Sequence, residues 1–278
     1  MQLQKQNIDQ GTVIHGVVSL KYDGINCYGV VISASCDIAN NKIKKIYYLI
    51  AVDIKDWLMS EIGFSCAFND IISSNVSALK KETDRWELDI ELIKRWNMED
   101  VINVAKEEVK GGKEYSQFIK AYHIYNDFYQ KSQTVQGRKS IINEKSKTWI
   151  GFLKNLEKGI YSQYYYLPEK YYKAENIKGK GLIVDIQELG CIPLNIAREI
   201  VTPGIDRCRL KPSDDKSLKD WTEYFWLPNA DSFVSVEGTI ESPRREHLMQ
   251  HFSNGFVRIG TERMSDLDYE CLMDCFKA

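Results

Sequence analysis

Cys27-Tyr-Gly-Val-Val-Ile-Ser33 and Ile46-Tyr-Tyr-Leu-Ile-Ala-Val52, separated by the turn Asn40-Asn41-Lys42, decide the fold class of this chain. The first is a continuous apolar run of strand length rich in β-branched residues, the pattern of a strand buried on both faces, and the second reads as the next strand. Upstream, Thr12-Val-Ile-His-Gly-Val-Val-Ser-Leu20 alternates around Gly16 and reaches the turn signal Tyr22-Asp-Gly-Ile-Asn26, so the first fifty-odd residues read as a three-stranded meander.

Beyond Trp57 the period changes. Trp86, Leu88, Ile90, Leu92, Ile93 and Trp96 recur near helical spacing, and Ile119, Tyr122, His123, Tyr125 and Tyr129 form a second amphipathic stretch. Gly111-Gly112-Lys113 and Gln136-Gly137-Arg138 read as breaks between helices. Strand character returns at Tyr161–Leu167, at Gly181-Leu-Ile-Val-Asp-Ile-Gln-Glu-Leu189 and at Ser232-Phe-Val-Ser-Val-Glu-Gly-Thr-Ile240. Ser242 caps a helix with Pro243 at its first position, and a last helix is predicted over Ser265–Phe276.

Neither set of three strands buries much alone, so both sets are expected to share one sheet. The expected fold is α+β: a small antiparallel SH3-like barrel split by a helical insertion and followed by C-terminal helices. Its parts are residues 1–56 and 161–241 for the two halves of the barrel, 57–160 for the insertion and 242–278 for the closing helices.

The chain has 278 residues, 44% hydrophobic and 27% charged, a globular rather than a disordered composition. With 37 basic and 39 acidic residues, no global polyanion-binding field is implied. The apolar runs are about half the roughly 20 residues of a spanning helix, and Met1-Gln-Leu-Gln-Lys-Gln-Asn7 has no apolar core of a signal peptide. Seven scattered cysteines suit reduced thiols better than a disulfide framework. The expectation is a cytoplasmic protein that does not enter a membrane.

The strand order resembles the PemK/MazF-like SH3-type barrel of toxin nucleases. Gly29-Val-Val-Ile-Ser33 is similar to that family's "RPALVIS" strand, and Tyr47–Val52 resembles its third strand. Leu182-Ile-Val-Asp-Ile-Gln-Glu-Leu189 is similar to its "VLLDQI" strand, and Ser242-Pro243 to its closing "SP" helix. The resemblance covers residues 10–55 and 160–260, with about a hundred foreign residues between. In the family an arginine just before the second strand and a Ser/Thr just after the third take part in RNA cleavage. The matching segments here are Asn26-Cys27-Tyr28 and Val52-Asp53-Ile54, so neither carries over. Ile32-Ser-Ala-Ser-Cys-Asp-Ile38 also resembles a "VISQSCDI" signature of uncharacterised bacterial proteins, as do Ser242-Pro-Arg-Arg-Glu-His-Leu248 and Phe256-Val-Arg-Ile-Gly260. These resemblances imply a bacterial defence or stress protein of the toxin–antitoxin kind.

Several residues could carry chemistry. Cys36, read as ending a buried strand beside Asp37, is a nucleophile if a histidine withdraws its proton, although an adjacent carboxylate raises a thiol pKa; as a packed core thiol it would be inert. Asp37, Asp53 and Asp185 end or interrupt three neighbouring β segments, and on one rim they could hold Mg²⁺ for phosphodiester hydrolysis; by simple alternation Asp185 would face water. His247 and His251, and Cys271 and Cys275, are doublets spaced by four residues, each able to present two ligands to a structural Zn²⁺. His15 reads as a barrel histidine and His123 as a helix-face residue. No P-loop, Rossmann fingerprint, G-x-S-x-G or H-E-x-x-H occurs.

For binding, residues 106–158 hold eleven Lys/Arg against six acids, interleaved with tyrosines. Lys131, Arg138, Lys139, Lys145 and Lys147 are the candidate basic face, with Arg244, Arg245 and Arg258 a second corner. A solvated helical face and salt bridges to Glu241 and Glu246 are the plainer readings of these two groups. The sequence thus favours a non-catalytic binding or regulatory component engaging a protein partner or RNA, with no cofactor. The alternative is a divergent endoribonuclease or cysteine-dependent hydrolase centred on Cys36 and Asp37.

Overall fold

The computed structural model describes residues 7–108, 112–172, 181–201, 223–226 and 234–257. Six strands form one antiparallel sheet: β1 (Thr12–Val17), β2 (Cys27–Val31), β3 (Lys45–Asp53), β4 (Tyr164–Pro168), β5 (Gly181–Pro193) and β6 (Ser235–Thr239), in the order β4-β5-β3-β2-β1-β6. Strands from both ends of the chain therefore share the sheet, and the two sets meet where β3 pairs with β5. The sheet curls until its two edges touch: Tyr172, just past β4, bridges Ile240, just past β6. The mixed α+β architecture with a curled antiparallel sheet is as the periodicity predicts.

Curling gives the sheet two different faces. The inner face gathers Val13, Tyr28, Val30, Leu49, Ala51, Tyr165, Leu167, Leu182 and Val184 from five strands, with Tyr172, Ile240 and Leu248. The outer face is covered by helices. Strands buried on both faces read as unbroken apolar runs rather than alternating ones, and all five residues of β2 are buried.

The helical segment between β3 and β4 divides its work. α2 (Ile54–Met59), α3 (Glu61–Ala67), α8 (Val135–Glu144) and α9 (Ser146–Glu157) join the strands in one core through Trp57, Phe64, Ile141, Phe152 and Leu156. α4 (Asn69–Arg85), α5 (Ile90–Arg95), α6 (Met98–Glu108) and α7 (Lys113–Ser132) build a second core from Leu79, Ile93, Val101, Phe118 and Tyr122. Caps set these boundaries. The Asp53 carboxylate accepts from the Lys55 amide and the Ser60 hydroxyl from Gly63, each satisfying a donor that the helix start leaves free. The α2–α3 corner requires a glycine, since a Cβ on Gly63 would lie 1.9 Å from the Trp57 carbonyl.

Three local readings are corrected. Gln136-Gly137-Arg138 is not a break: it lies in the first turn of α8, the break falls at Gln133–Thr134, and Gly137 is needed because a Cβ there would meet the Lys131 carbonyl at 2.1 Å. The stretch Trp86–Trp96 is not one helix, because α4 ends at Arg85 and Asp89 caps a new one. Cys36 does not end a strand, for residues Ser35–Ala39 form the short helix α1. α10 (Leu194–Glu199) follows β5, and α11 (Arg244–Val257) begins just after Pro243. The predicted helix over Ser265–Phe276 lies outside the described residues.

Candidate functional site

The candidate acids do not converge. Asp53 follows Ala51 on the inner face, whereas Asp185 pairs with Ile50 on the outer one, so the two carboxylates leave the sheet on opposite sides. Asp37 lies on α1, beyond the far end of β2. Among the described residues, no three His, Cys, Asp or Glu side chains gather as a metal would require.

Asp185 does not face water either. It is 1% exposed, accepting from Lys21 Nζ at 2.6 Å and from the Tyr22 hydroxyl at 2.7 Å. The register of β3 against β5 shifts at this point, Leu49 facing Leu189 while Ile50 faces Asp185, and the freed Gln187 amide donates to the second Asp185 oxygen. Lys21 also lies over the rings of Tyr22 and Tyr164, at 5.8 and 5.7 Å. Burial, then the charge of Asp185, pushes the Tyr22 phenol far above its ordinary range, so Tyr22 is a donor that stays protonated. This network ties the β1–β2 loop to β5.

Cys36 is exposed rather than packed in the core. Its thiol points to Asp37 Oδ1 at 3.6 Å, and its carbonyl accepts from the Asn40 side chain. His15 pairs with Tyr28 near the opposite end of β2, away from Cys36.

The candidate basic residues separate into used and unused groups. Arg138 donates to the Met59 and Ser132 carbonyls and fixes α8 against α2. Lys131 pairs with Asp127 at 2.9 Å. Arg245 pairs with Glu246, and Arg244 stacks on Tyr165 and Tyr171 at 5.3 and 4.9 Å. Lys139 on α8, Lys145 at the α8–α9 junction and Lys147 on α9 are exposed and form no ion pair among the described residues. Of the proposed zinc ligands, His247 bonds the Tyr165 hydroxyl at 3.0 Å and His251 packs on the same ring. Cys271, Cys275 and Arg258 lie outside the described residues.

One polar region was missed in the sequence: the mouth of the curled sheet, where β2 starts and β3 ends. Asn26, just before β2, and Asp53, the last residue of β3, sit beside it. Asn26 Nδ2 contacts His15 Nε2 at 2.5 Å, and the His15 and Tyr28 rings are 5.2 Å apart. Tyr172, which bridges Ile240, and Glu237, at the register shift of β6 against β1, are both buried, at 1% and 5% exposure. Burial, then the charges of Glu237 and Asp53, drives the Tyr28 phenol far up, and burial, then Asp53, does the same to Tyr172. A cleft of about 460 Å³ opens alongside, lined by Ile25, Asn26, Asp56, Met59, Arg138 and Trp226. Only spatial closure unites these residues. No short motif in the sequence announces them.

Burial also raises the Asp53 carboxyl above its ordinary 3.8, opposed by the Lys55 amide. A raised acid favours the protonated folded state, so Asp53 weakens the fold as pH rises from its unfolded value through its folded one. Asparagine keeps the cap without the charge. Asp53→Asn should therefore raise the melting temperature at pH 7, with the gain shrinking towards pH 4, as calorimetry across that range would show.

Compared with known protein families, curated proteins and solved structures, the chain has no match. Among the described residues, no helix is long and apolar enough to cross a membrane.

Proposed function

We propose that this chain is a non-catalytic binding component of a bacterial defence or stress module, of the toxin–antitoxin-like kind, and that it engages RNA through α8 and α9. The observation that carries this reading is the free state of Lys139, Lys145 and Lys147: the other described candidate cations are held by internal partners, and these three are not. Exposed, unpaired lysines neutralise phosphates and release counterions, which makes binding steeply salt-dependent. The likeness to a toxin-nuclease barrel supports the cellular setting. The matching segments Asn26-Cys27-Tyr28 and Val52-Asp53-Ile54, which lack the family's arginine and Ser/Thr, support binding without cleavage.

A protein partner from the same module is the second reading, favoured by the cleft. Val135 and Arg138 of α8 form one wall of it, and Met59, Ile25 and Trp226 offer apolar area beside them. The two readings differ in their response to charge reversal. The triple variant Lys139→Glu/Lys145→Glu/Lys147→Glu should weaken retention of RNA on a filter at 50 mM salt by about tenfold or more and flatten its salt dependence. A partner bound through the cleft would survive that variant and be released by Trp226→Ala.

A further inference from the structure

We infer that the seam between the end of β4 and the start of α11 binds a phosphate group, held by Arg244, Lys170 and His247. This does not rest on the RNA reading, which concerns α8 and α9.

Backbone contacts close the seam. Tyr172 bridges Ile240, and the Glu241 amide donates to the Tyr171 carbonyl at 3.2 Å. The first turn of α11 therefore lies against the single turn Glu169–Tyr171 that follows β4. Two phenol rings then gather the nitrogen-bearing side chains. The Arg244 guanidinium carbon is 4.9 Å from the centre of the Tyr171 ring and 5.3 Å from that of Tyr165. Lys170 Nζ is 4.9 Å from the same Tyr171 centre, and the His247 ring is 5.5 Å from the Tyr165 ring. Arg244, which shares a ring with each of the other two, is the middle of the patch.

The rings hold these groups without using their hydrogen-bonding capacity. An aromatic face attracts a cation but leaves the in-plane N–H donors of a guanidinium without an acceptor. Among the described residues neither Arg244 nor Lys170 forms an ion pair, and Arg244 Nε is buried with no acceptor. Glu246 is taken by Arg245, and Glu169 and Glu241, exposed on the same seam, leave both cations unpaired. Burial, opposed by the charge of Arg244, pushes the Tyr165 phenol up to about 12, so it stays protonated and donates to His247 Nδ1 at 3.0 Å. The proton of the neutral imidazole then sits on Nε2, and His247 is exposed, which makes it a third donor.

The ligand follows from the donors. Two unpaired cations repel a metal ion or an amine. A carboxylate offers two oxygens in one plane, whereas the tetrahedral oxygens of a phosphate accept from a guanidinium, an ammonium and an imidazole N–H arriving from different elements.

Titration calorimetry on the full chain would test this with inorganic phosphate, uridine 5′-monophosphate and, as the neutral control, uridine. The two phosphates should bind at millimolar concentration and uridine should not. Arg244→Gln should weaken the nucleotide by about tenfold or more, the usual loss of charge-assisted hydrogen bonds, and Lys170→Gln by a few-fold. Tighter binding of a short oligouridylate when its 5′ end is phosphorylated would assign the site to an RNA end, and equal binding to a small phosphate compound. Lys139→Glu/Lys145→Glu/Lys147→Glu should leave nucleotide affinity as in the parent chain, which separates this site from the RNA face. If Arg244→Gln does not fold, the exposed Lys170 carries the test as Lys170→Glu. The inference is overturned if neither phosphate binds at millimolar concentration, if the folded Arg244 and Lys170 variants bind as the parent chain does, or if the triple lysine variant loses the nucleotide.

Discussion

Lys21→Met is expected to destabilise the fold by about 3 kcal/mol, at the low end of what is lost when a buried ion pair is deprived of one partner. Asp185→Asn should cost less, about 1–2 kcal/mol. The asymmetry comes from exposure. Asp185 is 1% exposed and Lys21 30% exposed, so a lysine without its carboxylate can turn to water, whereas a carboxylate without its lysine stays inside with only the Tyr22 hydroxyl and Gln187 amide. Urea unfolding of both variants would measure the difference. If Asp185→Asn were the worse of the two, the carboxylate's role in placing Tyr22 and the β5 register shift would outweigh the charge pair.

Trp57→Ala carries the other large effect, about 3–5 kcal/mol for a fully buried tryptophan. Trp57 stacks on Phe152 at 5.7 Å, meets the edge of Tyr164 at 5.1 Å, and is 0% exposed. It thus joins α2 to α9 and β4, two consecutive elements far along the chain from it. Trp57→Phe, which keeps an aromatic ring between them, should lose about half as much. A loss below about 1 kcal/mol for the alanine variant would mean that the helices cover the outer face without being held by this side chain.

The parts of the fold governed by local periodicity were legible in the sequence. Val30-Val31 reads as part of a buried strand and Leu49-Ile50-Ala51-Val52 as part of the next strand, because both faces of the sheet are apolar there, and the two strands pair in the structure. Boundaries set by caps and close approaches were less legible. Gly137 has the composition of a loop residue but serves a helix turn packed on the Lys131 carbonyl, and α1 is too short to show a period.

The site was less legible still. Asp185 stood out as a charge inside an apolar run, yet its partner Lys21 is 164 residues away and nothing local predicts the pairing. Glu237 carried no distinguishing signal in the sequence, yet it is 5% exposed in β6, at the point where the register against β1 shifts. Lys139, Lys145 and Lys147 were visible as charges, but their separation from Lys131 and Arg138 depends on which cations find acids or carbonyls in three dimensions.

The central claim is that the chain binds without cutting. Its most direct test is incubation of the purified protein with total RNA, with and without Mg²⁺, beside the Cys36→Ala/Asp37→Ala double variant. The account predicts intact RNA in every lane and salt-sensitive retention by both proteins. Cleavage by the native chain that the double variant loses would contradict it and place a reaction at Cys36 and Asp37.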